Sequence, residues 1–106
     1  MNTNKEQKNE WSIYIIRCSN HSLYTGISNN VQRRFEEHCS NSPKSAKYLK
    51  GKGPLKLLYS KDIGNRSQAS KCELAFKKFP KKKKEEKLLN RSELDGFFKN
   101  FIKESS

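Results

Sequence analysis

No stretch of this chain stays apolar for anything near the roughly 18 residues that a membrane-spanning helix needs, and no hydrophobic leader opens it. The expectation is therefore a cytoplasmic protein with no place in a membrane. Cysteine is scarce: Cys18, Cys39 and Cys72 are odd in number and widely spaced, which speaks against a secreted disulfide framework and for a reducing compartment. The lack of a C-x-x-C pair also argues against zinc held by Cys18, His21, His38 and Cys39, because neighbours such as His38 and Cys39 diverge on a helix. The run Lys50-Gly51-Lys52-Gly53 lacks the frame of a phosphate-cradling nucleotide loop, so no small-molecule cofactor is expected. Asn-x-Ser triplets at Asn20, Asn65 and Asn90 carry no consequence without a leader. Acidic residues are few as well. Eleven Asp+Glu stand against 23 Lys+Arg, a formal charge of +12 that attracts polyanions before any specific contact forms. Nucleic acid is the natural partner.

What is present reads as one small domain with a modest core, since 106 residues are only 32% apolar. Residues 1–10 contain nothing apolar after Met1 and are expected to form a flexible tail. Aromatic and β-branched residues then dominate 11–16 and 23–27, which predicts a β-hairpin. An odd-length loop around Ser19-Asn20-His21 would put Tyr14 and Tyr24 on one face of it. Asn29 and Asn30 offer cap chemistry for a helix in which Val31, Phe35 and the stretch to Cys39 point inward while Glu36 and Glu37 point out. Arg34 and His38, four apart, share one side of it.

Residues 40–54 form a loop long enough to suggest function, and its Lys44, Lys47, Lys50 and Lys52 suit phosphate contacts. Residues 55–60 read as a third strand and 62–66 as a turn. A second helix follows, with Ala69, Cys72, Ala75, Phe76 and Phe79 inward and Glu73 off that stripe's centre. After Pro80 a short basic helix is expected, whose run Lys81-Lys82-Lys83-Lys84 could meet phosphate, with Lys81 and Lys82 foremost, lie on a solvated face balanced by Glu85 and Glu86, or serve as a nuclear import signal. Ser92-Glu93-Leu94-Asp95 then opens an amphipathic extension over 91–106, with Leu94, Phe97, Phe98, Phe101 and Ile102 on one stripe. The domain proper is expected to span 11–90.

Tyrosine can orient or deprotonate a water, arginine can neutralise charge growing on phosphate, and glutamate can hold a hard divalent cation. Ser12-Ile13-Tyr14 and Tyr24-Thr25-Gly26, then Arg34 and His38, then Glu73, place those residue types in an order and spacing that resembles the GIY-YIG endonuclease superfamily. The run from Leu23 to His38 and Lys50-Gly51-Lys52-Gly53-Pro54 is similar to its small stand-alone bacterial members. The resemblance implies an α+β fold, a three-stranded antiparallel sheet flanked by helices, and hydrolysis of DNA with Mg²⁺ or Mn²⁺. It implies catalytic roles for Tyr14, Tyr24 and Arg34, a proton relay at His38, and Glu73 as catalytic group and metal ligand. Which tyrosine acts as base stays open. Arg33 points about 100° away from Arg34 and is expected to meet solvent or phosphate. Ser12 and Thr25 depart from the family pattern, which has glycine and isoleucine there.

The expected function is thus a metal-dependent DNA endonuclease in repair or nucleic-acid turnover, acting as a monomer or weak homodimer. The alternative is a non-catalytic nucleic-acid-binding module, for DNA or in an RNA or ribosome-associated setting.

Overall fold

Residues 10–40 and 42–102 are described by a computed structural model of the chain. The expected tail over 1–10 lies, Glu10 apart, outside the described residues, as do residues 103–106 of the expected extension.

The aromatic and β-branched residues form strands β1, Trp11–Arg17, and β2, Leu23–Ser28, paired antiparallel across residues 18–22. In that connection His21 takes a φ of 71° and Asn20 Oδ1 accepts the Ser22 N–H at 3.1 Å. Tyr14 lies opposite Gly26 and Ile16 opposite Tyr24, so the expected parity holds and both tyrosines stand on one face.

Strand β3, Lys56–Gly64, pairs antiparallel with the other side of β1 and completes a three-stranded sheet in the order β2-β1-β3. It runs past the expected end at Ser60. Asp62 and Gly64, read from sequence as turn residues, pair with Ser12 and Trp11. The local turn preference loses because Ser12 Oγ donates to Asp62 Oδ1 at 2.6 Å across the strands, and register shifts at Trp11/Ser12 and Ile15/Ile16 bend the ladder to fit.

Alternation along β1 sorts the apolar residues into two cores. Ile13 and Ile15 face helices α2, Arg66–Lys77, α3, Lys81–Leu89, and α4, Arg91–Lys99, and pack with Ile63, Ala69, Cys72, Phe76, Leu88, Leu94 and Phe98. Burial of each large apolar side chain there contributes about 1.5–3 kcal/mol. Leu94 and Phe98 are fully buried, so α4 belongs to the same core as the sheet. Tyr14 and Ile16 face the other way, toward helix α1, Val31–Cys39, and toward Leu49.

Asn30 caps α1 by accepting the Arg33 N–H at 3.1 Å, and Asn65 with Gln68 forms a reciprocal capping box for α2. Two details of α1 differ from expectation. Cys39 is exposed and Glu37 half-buried, while His38 is the buried residue of the helix. Position 38 lies over Tyr14, and the next residue is turned about 100° away from the sheet. The long loop is not featureless either, for a 3-10 turn at Lys47–Leu49 sets Leu49, 2% exposed, onto the Tyr14 face.

Candidate active site

Tyr14 is carried by the central strand and is almost completely buried, and its hydroxyl has a partner. Tyr14 Oη and His38 Nε2 are 3.0 Å apart, and the hydroxyl also interacts with Arg34 and Tyr24. The rings of Tyr14, Tyr24 and His38 form a triangle with centroid separations of 6.2, 6.1 and 5.7 Å. Gly26 makes this possible: a Cβ there would stand 2.6 Å from Tyr14 Oη and 2.7 Å from its Cζ. The glycine of the second motif leaves room for the tyrosine of the first.

The hydrogen bonds assign the histidine tautomer. Ala46 N–H donates to His38 Nδ1 at 3.2 Å, so Nδ1 must carry the lone pair and the neutral ring bears its proton on Nε2. His38 therefore donates to Tyr14 Oη. Burial, and then the neighbouring Arg34 cation, lower the His38 pKa below the ordinary value of 6.5 and keep it neutral. Burial and Tyr24 push the Tyr14 phenol well above its ordinary value, more than Arg34 pulls it down. Tyr14 is a neutral hydroxyl at neutral pH.

Arg34 Nη1 donates to Lys44 O at 2.7 Å and to Glu37 Oε1 at 3.0 Å. Its partial burial disfavours the charge, but the contacts with Glu37 and Tyr14 outweigh it and raise the pKa, so a fixed cation faces the Tyr14 hydroxyl. Arg33 is exposed, as its helical position requires.

Glu73 comes from α2, which packs on the other face of the sheet. Its carboxylate is half-buried and pairs with Lys77 Nζ at 3.1 Å. The two layers meet at the β2 edge in an open concavity of about 420 Å³ lined by Leu23, Tyr24, Thr25, Tyr48, Lys77 and Lys84. A second, of about 480 Å³, reaches His38 from the side of Gly51, Gly53 and Pro54 without touching either signature tyrosine. Among the described residues no three His, Cys, Asp or Glu side chains cluster as a metal cage. Mg²⁺ does not require one, since it retains waters and is satisfied by one or two carboxylates with substrate phosphate. The hard oxygens of Glu73, beside a lysine whose side chain is 47% exposed and free to leave, suit that chemistry.

Of the basic residues expected to meet phosphate, Lys44, Lys47, Lys50 and Lys82 are exposed. Lys52 lies over the Tyr48 ring, and Lys81 is paired with Glu85 at 2.8 Å. Tyr48, Lys77 and the Ala46 amide were not singled out in the sequence. An aromatic set among four loop lysines could have flagged Tyr48, whereas a backbone amide leaves no signal.

The GIY-YIG catalytic domain model matches residues 10–87 of the chain. The chain is 49% identical over 80 residues to the GIY-YIG domain-containing protein 242L of Invertebrate iridescent virus 6, covering 74% of this chain and 79% of that protein. It is 44% identical over 75 residues to the UPF0213 protein YhbQ of Escherichia coli strain K12, covering 71% and 73%. Two solution NMR structures, each 32% identical, share the fold. The UPF0213 protein BH0048 from Bacillus halodurans covers 92% of this chain and 98% of its own at a TM-score of 0.50. EF2693 from E. faecalis covers 82% and 91% at 0.56. A sheet that brings Tyr14, Tyr24, Arg34 and His38 together, in a chain with these relatives, belongs to the GIY-YIG family, alongside UPF0213 proteins and other small GIY-YIG-domain proteins.

Proposed function

We propose that the protein is a metal-dependent endonuclease that hydrolyses phosphodiester bonds of DNA, acting in the cytoplasm in repair or turnover of nucleic acid. The observation that supports this most is the hydrogen bond between Tyr14 and His38 beside the Arg34 cation on one sheet face, with Tyr24 next to them. Water oxygen attacks phosphorus in line and gives up a proton to solvent, the bond to the leaving oxygen breaks, and that oxygen takes up a proton in turn. Arg34 stabilises the charge that grows on the non-bridging oxygens. Tyr14, receiving the His38 Nε2–H, has its own O–H left to orient the attacking water or a phosphate oxygen. Its raised pKa supports that positioning role over one as a standing phenolate base. A relay through His38 would break the Ala46 bond, so His38 is better suited to positioning Tyr14. Glu73 would hold Mg²⁺ or Mn²⁺, which supplies a Lewis acid at the phosphate.

A second reading, a nucleic-acid-binding module without cleavage, draws on the ion pair that ties Glu73 to Lys77. The two are separated by incubating the protein at low salt with branched, nicked, single-stranded and duplex DNA, and with RNA, in Mg²⁺, Mn²⁺ or EDTA. Cutting of DNA that EDTA abolishes supports the endonuclease. Binding to every strand without cutting supports the module, and an effect confined to RNA supports the RNA-associated setting.

A further inference from the structure

Among the described residues the large apolar side chains left exposed are Tyr48, Leu74 and Leu89, and of these Tyr48 borders the candidate site. Its neighbour Leu49 is 2% exposed and pins the 3-10 turn to the sheet, so the 44%-exposed ring projects from an anchored element. The ring lies within 24° of parallel to Tyr24, at 5.9 Å, and Tyr24 meets His38 edge-on at 5.7 Å. Tyr48 is thus two ring contacts from the Tyr14 hydroxyl's donor. Lys52 Nζ sits 3.4 Å from the Tyr48 ring centroid, and Lys77 and Lys84 line the same open concavity of about 420 Å³.

A flat, exposed aromatic ringed by ammonium groups is the arrangement that holds a nucleobase by its π-face and the adjoining backbone by charge. A base inside a duplex has both faces covered by its neighbours and cannot be held in this way; a splayed or single-stranded base can. We infer that Tyr48 is a stacking subsite for one unpaired nucleobase next to the cleaved phosphate of a DNA strand, with Lys52, Lys77 and Lys84 meeting the flanking phosphates. The base takes the place that the Lys52 ammonium holds over the ring, and Lys52 turns to phosphate. The subsite deepens the endonuclease reading and rests on it.

The test uses the full chain in EDTA and a single-stranded oligonucleotide with one 2-aminopurine, whose fluorescence is quenched on stacking. The same strand with an abasic site and its duplex form serve as controls. Tyr48→Ala is expected to lose the quench and to weaken binding of the base-bearing strand roughly tenfold to a hundredfold. Tyr48→Phe is expected to retain both, and the abasic strand to bind wild type and Tyr48→Ala alike. Unchanged affinity and quench in Tyr48→Ala, or an equal loss on the abasic strand, would overturn the subsite. Mg²⁺-dependent cutting by wild type is read in parallel. Cutting without any Tyr48 effect defeats the subsite alone, whereas a Tyr48 effect without cutting upholds base stacking at Tyr48 and defeats the endonuclease reading together with the subsite's place beside a cleaved phosphate.

Discussion

Gly26 has no side chain because Tyr14 occupies the space where one would begin. An alanine Cβ would stand 2.6 Å from a hydroxyl whose ring is 1% exposed and has nowhere to retreat. Gly26→Ala is therefore expected to cost about 1–3 kcal/mol through overpacking and to break the Tyr14–His38 bond. A fall in denaturant midpoint at constant slope checks the first part, and an unchanged midpoint would show that the ring can move. His38 gives a pH prediction. Its folded pKa lies below the ordinary 6.5, so as pH falls the unfolded chain takes up the proton first. The stability that depends on neutral His38 is complete above 6.5 and is lost as pH falls toward the lower folded value. The acid limb of the cleavage rate should accordingly have its midpoint below 6.5. A midpoint above it would mean that some other group sets the limb.

At the scale of elements, α3 is fastened to β1 by Arg17, which donates from both terminal guanidinium nitrogens, Nη1 and Nη2, to Glu85, with Nη2 to Oε1 at 2.8 Å. Lys81 joins the same carboxylate, so the Glu85–Lys81 part of the basic helix forms the balanced face that was one of the expectations for it. Arg17 above all holds the Glu85 carboxyl down at about 2, so the contribution of this clamp is complete above the ordinary 4.5 and disappears as pH falls from there toward 2. Glu85→Gln should lose about 1 kcal/mol at neutral pH and show a flatter fall in stability through that acid window. Unfolding curves at neutral and acid pH check it, and an identical pH dependence in the variant would contradict it. Elements were legible where one strong local signal met the tertiary need. The hairpin's parity followed from an odd loop, and the cap of α1 from asparagine, whereas the Asn65 cap of α2 was read as part of a turn. The end of β3 was not legible, because Asp62, Gly64 and Asn65 carry turn chemistry that only the cross-strand bond from Ser12 overrides. Tyr14, Tyr24, Arg34 and His38 could be read as a group through the resemblance to the GIY-YIG pattern. The tautomer of His38 could not, since it depends on an amide eight residues away in a loop.

The whole molecule is a sheet between two unequal layers, the tyrosine cluster under α1 and Glu73 in the layer of α2–α4, meeting at the β2 edge. Its formal charge of +12 and the exposed Arg33, Lys44, Lys47, Lys50 and Lys82 predict binding that weakens steeply with salt as phosphate contacts are screened. Among the described residues no helix is long and apolar enough to cross a membrane. The proposed reaction would draw on both layers, and that is the claim to test. The most direct measurement is the single-turnover cleavage rate in Mg²⁺ of wild type, Arg34→Ala and Glu73→Ala on a DNA that wild type cuts, with affinity for the same DNA measured in EDTA. The predicted result is a loss of roughly a hundredfold to a thousandfold in rate for each variant, with affinity nearly unchanged. Arg34→Ala or Glu73→Ala cutting at the wild-type rate would contradict it.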